Sequence, residues 1–483
     1  MATVASTELT VIVLAAGGGT RMKSKTMKVL HPVAGRSMIG HVLNAVQAME
    51  PARIVAVVGN QRDQVGPHIQ GLAPEALLAV QEEQHGTGHA VRIAMEALPG
   101  GGAHAGTVLV AYGDTPLLEA ASLLTFAEEH EAAQRAVSIL SGVVGDPSGY
   151  GRVVRNADGE VEGIVEDGDA TEEQRAIQEV NSGILAFDAA FLVDALPKLS
   201  NDNVKGEYYL TDTVHLAREA GLHVGAHEID DVLQTEGVND RVQLARTGRV
   251  MNERIVTRWM QEGVTVMDPA TTWVDADVVL RPDVTLLPGV QLLGATVVEE
   301  DAVVGPDTTL KDCEIGAGAR VTRTHGELAV IGAGATVGPF AYLRPGTTLG
   351  SEGKIGTFVE TKNAQIGDGA KVPHLSYVGD AEVGEGSNIG AGTIFANYDG
   401  VEKNRTVVGR HAKTGANNTF VAPVEIGDGA GTAGGTVVRH NVPPGALAVS
   451  GGQQRNLERW ALSKRAGTAQ ADAAAAALDG VED

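Results

Sequence analysis

Residues 331–356 read IGAGATVGPFAYLRPGTTLGSEGKIG. Apolar side chains fall at Ile331, Val337, Leu343, Leu349 and Ile355, always six apart. An amphipathic helix repeats near 3.6 residues and a single strand at 2, so neither accounts for a period of six. Six fits a flat coil of short strands and turns, in which each face sends one side chain inward. Stacked coils then bury a continuous core. The beat continues on both sides. It runs through Val278, Val284 and Val290, then Val297, Val303, Thr309, Ile315 and Val321. After a break it resumes at Val408, Thr414, Phe420, Ile426, Thr432 and Val438. Gly often follows the apolar residue, as at Ile366-Gly367 and Ile389-Gly390. The segment Ala396–Val408, ANYDGVEKNRTVV, breaks the beat and reads as a loop leaving the coil.

Upstream the texture differs. Short β-branched runs such as TVIVLAA (10–16), RIVAVVG (53–59), TVLVAYGD (107–114) and AVSILSGVV (136–144) alternate with helical stretches such as MIGHVLNAVQAM (38–49). That order reads as an α/β domain with a mostly parallel, Rossmann-like sheet. The expected organisation is an α/β domain over 1–240, a linker helix over 241–262, a parallel β-helix over 263–465, and a disordered Ala-rich tail over 466–483 in which a short helix is the alternative.

Composition narrows the function. The 483 residues carry a net charge of −24, which argues against nucleic acid or a polyanionic membrane surface as partner. Cys313 is the only cysteine, so there is no disulfide framework and no thiolate metal cluster. The N-terminus lacks the basic region and long apolar core of a secretion signal, and no apolar run spans a bilayer. A reducing cytoplasm is the expected compartment.

Two stretches carry candidate chemistry. LAAGGGTRM (14–22) follows the first strand, and its small residues let loop amides approach a phosphate. Arg21, Lys23, Lys25 and Lys28 strengthen that reading, with an ordinary structural turn as the alternative. Asp114 stands just beyond a buried strand, where ligands sit in open α/β sheets. It could hold Mg²⁺, or merely cap a helix or sit in a solvated turn. In the repeat half, Arg344, Lys362, His374, Tyr377 and Asn388 lie on successive coils. Two cations, an imidazole, a phenol and an amide suit an anionic, hydroxyl-rich ligand. A histidine suits proton removal near neutral pH.

LAAGGGTRM, KVLHPVAG, QHGTGHA (84–90), YGDTPLL, GYGR, EVNSGI, EYYLTD and GVNDR stand in the order found in sugar-nucleotide pyrophosphorylases. Joined to a hexapeptide-repeat half, the chain resembles the bifunctional N-acetylglucosamine-1-phosphate uridyltransferase/glucosamine-1-phosphate acetyltransferases from about residue 10 to 464. The resemblance implies a left-handed β-helix, a homotrimer with acetyl-transfer sites between subunits, and synthesis of UDP-N-acetylglucosamine from glucosamine 1-phosphate, acetyl-CoA and UTP. N-acetylglucosamine 1-phosphate is the intermediate. It implies that Leu14, Ala15, Ala16 and Gly17 line the uridine nucleotide. Gln81, Gly86 and Thr87 would read the uracil, and Lys28 would sit on the phosphates. Tyr112 and Gly113 would border the site, while Gly151, Glu166 and Asn181 would hold the amino sugar. Asp114 and Asn239 would coordinate Mg²⁺.

In the second half, the resemblance makes His374 the general base, with Glu360 as its orienting partner. Arg344 and Lys362 would bind the sugar phosphate, and Tyr377 and Asn388 the sugar. Ala391, Asn397, Tyr398, Ala416 and Gly434 would contact acetyl-CoA, with Arg439, Trp460 and Lys464 near the coenzyme. Two departures stand out. Met27 replaces a usual Pro, freeing the backbone before Lys28, and Ala416 replaces a usual Ser. Two competing readings are a pyrophosphorylase with a purely structural β-helix, against which His374, Arg344 and Lys362 speak, and a non-catalytic interaction subunit, against which Lys28, Asp114 and Asn239 speak.

Overall fold

The structure, a computed structural model, describes residues 9–59, 62–99, 105–452 and 454–479. Residues 1–8, read above for a secretion signal, and the last four of the tail lie outside them. The chain divides into two compact units, 1–297 and 298–483.

In the first unit nine strands form one sheet: β1 Thr10–Ala15, β2 Arg53–Val58, β3 Leu77–Val80, β4 Thr107–Tyr112, β5 Val137–Val143, β6 Gly151–Arg155, β7 Val161–Val165, β8 Glu179–Asp188 and β9 Val224–Glu228. The order is β9-β5-β8-β4-β1-β2-β3, and β6 and β7 form a ribbon attached to β8. Pairings β4/β1, β1/β2 and β2/β3 are parallel, and β8 runs antiparallel to its neighbours. Val11, Ile12 and Val13 of β1 are fully buried, and alternate residues fall into separate clusters on the two faces. This is why the strand is an unbroken apolar run: a parallel strand covered on both faces has no side to show water.

Helices α1 Met38–Gln47, α2 Thr87–Glu96, α3 Ala120–Ala132 and α4 Asp212–Glu219 flank the sheet. Helix α5, Arg241–Gln261, falls where the linker helix is expected. Asp240 caps it, its carboxylate accepting from the Val242 and Gln243 amides, both at 2.8 Å. The first coils of the repeat group with this unit. Thr265–Val266 pairs with Thr285–Leu286, and Asn252 of α5 bonds the backbone of Thr272 and Val274.

The second unit is a curled run of short parallel strands, the form of a left-handed parallel β-helix. Tyr342 lies opposite Glu360, and Glu360 opposite Tyr377, so a coil takes 18 or 17 residues, three six-residue faces. Ile394 lies opposite Thr419, 25 residues on. The surplus is the off-beat loop, where Tyr398 bridges Lys403 in antiparallel fashion and Asp399 caps the turn. Ile331, Val337, Leu343, Leu349 and Ile355 are at most 1% exposed. Phe395 and Phe420 meet edge to face in the same core.

The sequence phase needs one correction. Val298, Val304 and Leu310 point inward, while Val297, Val303 and Thr309 are half-buried. Each pair offers two strand-forming residues, and spacing cannot choose between neighbours. The described part of the tail takes the form of the alternative to disorder, a short helix. Ala469–Asp479 is helix α7, packed on the short helix α6, Trp460–Lys464. Alanine has the highest helix propensity, and the Thr468 hydroxyl accepts from the Ala471 amide.

Candidate functional sites

Because β1 and β4 are adjacent and parallel, with Leu14 opposite Tyr112, their C-terminal ends deliver the Gly-rich loop and Asp114 to one edge. The Gly113 amide donates to the Leu14 carbonyl at 2.9 Å, joining the two strand ends. There a cavity of about 290 Å³ is lined by Leu14, Ala15, Ala16, Gly17, Lys28, Gln81, Gly86, Thr87, Tyr112 and Asp114. Ten residues singled out from the sequence thus share one cavity. Gln84 and Glu207 line it too and carry no role in the sequence reading. Gln84 Nε2 donates to the Ala16 carbonyl of the Gly-rich loop. Glu207 arrives because EYYLTD packs on QHGTGHA: the Gly88 amide donates to Tyr208 O at 2.8 Å, and the Leu210 amide to Thr87 Oγ1 at 3.1 Å. Both motifs were visible in the sequence, but their contact was not.

The Lys28 ammonium donates to the Asp114 carboxylate and, at 3.2 Å, to Asn239 Oδ1. Asn239 reaches it through the loop before α5, where the Val238 amide donates to Asp114 O at 2.9 Å. Gly19 has φ +58°, and a Cβ there would lie 2.5 Å from Lys28 Cβ. Met27 has φ −59°, the angle a proline ring would impose, and its buried side chain packs in the core.

Gly151, Glu166, Asn181 and Gly113 lie outside the cavity lining, and the first three form a neighbouring group. Asn181 sits opposite Gly151 across β8 and β6, and Glu166 accepts from Thr211 Oγ1 at 3.3 Å. A Cβ on Gly151 would lie 3.5 Å from Glu166 Oε1. Tyr112 links the two groups. Burial, then the charges of Asp114 and Glu166, push its phenol well above the usual range. It stays a neutral hydrogen-bonding group.

In the second unit the other candidates line one edge of successive coils. The Gly392 amide donates to His374 O, that of Asn417 to Ala391 O, and that of Gly435 to Ala416 O. The backbone thus stacks His374, Ala391, Ala416 and Gly434 in a column. His374 is exposed, and its side chain makes no hydrogen bond among the described residues. Glu360 is not its partner: Glu360 Oε1 accepts from Arg344 Nη1 at 2.9 Å. Strand pairing explains this, since Glu360 lies opposite Tyr342 and Tyr377, while His374 lies opposite Thr357. Lys362 Nζ stands 3.9 Å from Asp380. Lys403, from the off-beat loop, comes against Lys362, and that contact and its charge lower the Lys403 pKa. Neither Asp380 nor Lys403 figures in the sequence reading. Asn397 Nδ2 donates to Asp380 and, at 3.4 Å, to Tyr377 OH. Asn388 pairs with Lys371 on the preceding coil, and Tyr398 is exposed.

An α/β unit with a Gly-rich cavity of about 290 Å³ at the strand ends, followed by a β-helix with a histidine and cations on its edge, fits the class of a nucleotidyltransferase fused to a hexapeptide-repeat acyltransferase. Residues 11–177 match the family model of the MobA-like NTP transferase domain. Bifunctional protein GlmU of Rhodococcus jostii is 57% identical over 97% of this chain and 94% of its own. Those of Kineococcus radiotolerans and Streptomyces avermitilis are 57% and 56% identical, covering 97% and 96% of this chain and 95% and 96% of their own. The chain belongs to the GlmU family. It is a bifunctional enzyme with acetyltransferase and uridyltransferase roles in UDP-N-acetylglucosamine synthesis.

Proposed function

We propose that the two reactions are divided between the sites above, with uridylyl transfer at the Asp114 cavity and acetyl transfer at the His374 edge. The observation that carries the first assignment is the convergence of the Asp114 carboxylate and Asn239 Oδ1 on one cation, the Lys28 ammonium. Two hard oxygens aimed at one positive charge suit Mg²⁺, which takes one or two protein ligands and completes its shell with substrate phosphate oxygens. Asp114 and Asn239 would hold the ion, and it would neutralise charge on the UTP phosphates. Lys28 then turns to the phosphates. A phosphate oxygen of N-acetylglucosamine 1-phosphate attacks the α-phosphorus of UTP; the new P–O bond replaces the bond to pyrophosphate, which leaves. Orientation and charge neutralisation suffice, with no covalent enzyme intermediate. Gln81, Gly86 and Thr87 face the base, and Gly151, Glu166 and Asn181 face the amino sugar.

At the second site Arg344 and Lys362 take the phosphate of glucosamine 1-phosphate, and Tyr377 and Asn388 the sugar. The C2 amine attacks the thioester carbonyl of acetyl-CoA, its proton passes to His374, and the C–S bond breaks to release coenzyme A. Ala391, Asn397, Tyr398, Ala416 and Gly434 border the cofactor. A homotrimer is supported by an exposed column on successive corners: Arg323, Phe340, Phe358 and Leu375, all with positive φ. Phe340, Phe358 and Leu375 are 52%, 58% and 60% exposed, and the two phenyl rings stack 5.5 Å apart. Such a run of apolar surface calls for a partner, and Leu375 adjoins His374. No helix among the described residues is long and apolar enough to cross a membrane, and the cytoplasm is the compartment that fits these substrates.

The test of this division is Asp114→Ala and Asn239→Ala in the full chain. Each should abolish Mg²⁺-dependent release of pyrophosphate while acetyl transfer persists. Near-parent uridylyl transfer by both variants removes these residues from the metal site.

A further inference from the structure

Asp380 has no assigned part in either reaction, yet its carboxylate joins side chains from three successive coils at the acetyl-transfer edge. It follows Gly379 in the strand Tyr377–Val383, with φ +48°, and its side chain is only 13% exposed. Asn363 Nδ2, one coil back, donates to Oδ1 at 2.8 Å. Asn397 Nδ2, one coil forward, donates to Oδ2. Lys362 Nζ lies 3.9 Å from the same Oδ2, and Lys403 adds its charge from the off-beat loop. Burial opposes ionisation of this carboxyl, but the two amide donors and two ammonium groups outweigh it and hold its pKa below the usual range.

The groups that meet on this one anion belong to different substrates. Lys362 stands at the sugar phosphate, Asn397 at acetyl-CoA. Lys362 and Lys403 are like charges in contact, and two ammonium groups do not stay together without an anion between or beside them. Before a phosphate arrives, Asp380 is that anion. Asn397 has its amide tied by the same oxygen, and that tie also fixes the amide against Tyr377 OH. One carboxylate therefore sets the position of a phosphate ligand and a cofactor ligand together.

We propose that Asp380 is a positioning residue for acetyl transfer that couples the sugar-phosphate subsite to the acetyl-CoA subsite. The inference rests on the assignment of Lys362 and Asn397 given above. Asp380 touches neither reacting atom. It keeps Lys362 and Lys403 together in the free enzyme, and it makes the amide of Asn397 sensitive to what occupies the phosphate site.

The experiment uses the full-length protein, with KM for glucosamine 1-phosphate and for acetyl-CoA measured separately in Asp380→Asn, Asn397→Ala, Lys362→Ala and the double variants. Hydrogen bonds to a charged group are strong enough that Asp380→Asn should raise both KM values about tenfold. The unfolding midpoint should stay within a few degrees of the parent. A purely structural role would not predict the decisive result. Asn397→Ala, a cofactor-side change, should raise the KM for glucosamine 1-phosphate in the parent background and add nothing in the Asp380→Asn background. Independent, multiplying effects of Asp380→Asn and Asn397→Ala overturn the coupling. If Lys362→Ala raises the sugar-phosphate KM but Asp380→Asn leaves both KM values at the parent level, the role of Asp380 alone falls. If Lys362→Ala leaves that KM unchanged, the phosphate assignment falls and the coupling with it.

Discussion

Replacing Gly19 with alanine should cripple uridylyl transfer through a single methyl group. Gly19 has φ +58°, and its Cβ would be 2.5 Å from Lys28 Cβ, 3.3 Å from Lys28 Cγ and 3.5 Å from Lys28 Cα. Ordinary contact begins near 3.4 Å, so the Lys28 turn or the loop must recede by roughly 1 Å. Lys28 cannot simply swing away, because the colliding atom is its Cβ, next to the main chain. The left-handed conformation adds about 1–2 kcal/mol of strain for an L residue. A 1 Å misplacement of a positioning group costs about 10²-fold in rate. Gly19→Ala should therefore lower kcat/KM for pyrophosphate release from UTP and N-acetylglucosamine 1-phosphate by about 10²-fold. Thiol release from acetyl-CoA by the same preparation should remain at the parent rate, since Gly19 lies in the other unit. Parent-level pyrophosphate release would refute the reasoning, because it would mean that Lys28 need not stand where the Gly-rich loop holds it.

His374→Ala should cut acetyl-transfer kcat by about 10²–10⁴-fold, with little change in the KM for glucosamine 1-phosphate; a parent rate at pH 7 assigns the base elsewhere. Phe358→Arg places a charge in the exposed apolar column and should convert the protein to monomers by light scattering, with loss of acetyl transfer and retention of uridylyl transfer. An active monomer contradicts the assembly. Ala416→Ser restores one neutral hydroxyl, worth about 0.5–1.5 kcal/mol, so the acetyl-CoA KM should fall by no more than about tenfold or stay unchanged. A large loss of activity means the coil edge at Ala416 has no room for the hydroxyl.

The repeat was legible in the residues because a coil of three six-residue faces imposes its period on every turn. Ile331, Val337, Leu343, Leu349 and Ile355 all point inward as the spacing requires. Its phase was not legible at Val297-Val298, Val303-Val304 and Thr309-Leu310, since side chains alternate along a strand and both members of each pair are good strand formers. Strand ends were equally readable. An apolar run followed by LAAGGG or YGD announces a loop at the carboxyl edge of a parallel sheet, and Leu14 to Gly17 and Asp114 do share a cavity there.

Partnership, by contrast, was decided by tertiary structure. Glu360 was expected beside His374, 14 residues away, but coil pairing sets it beside Arg344 instead. Lys403 sits in a stretch that breaks the repeat, so no periodicity pointed to its meeting with Lys362. Gln84 and Glu207 occupy recognisable motifs, yet only the packing of one motif on the other brings both to the cavity beside the Gly-rich loop. A one-dimensional pattern encodes what each residue does to its own strand, helix or turn. Which side chains from distant segments come within hydrogen-bonding distance depends on strand order and register. Asp380 illustrates the division: alone it is one acidic residue after a glycine, and it becomes the meeting point of Asn363, Lys362, Asn397 and Lys403 only when three coils are stacked.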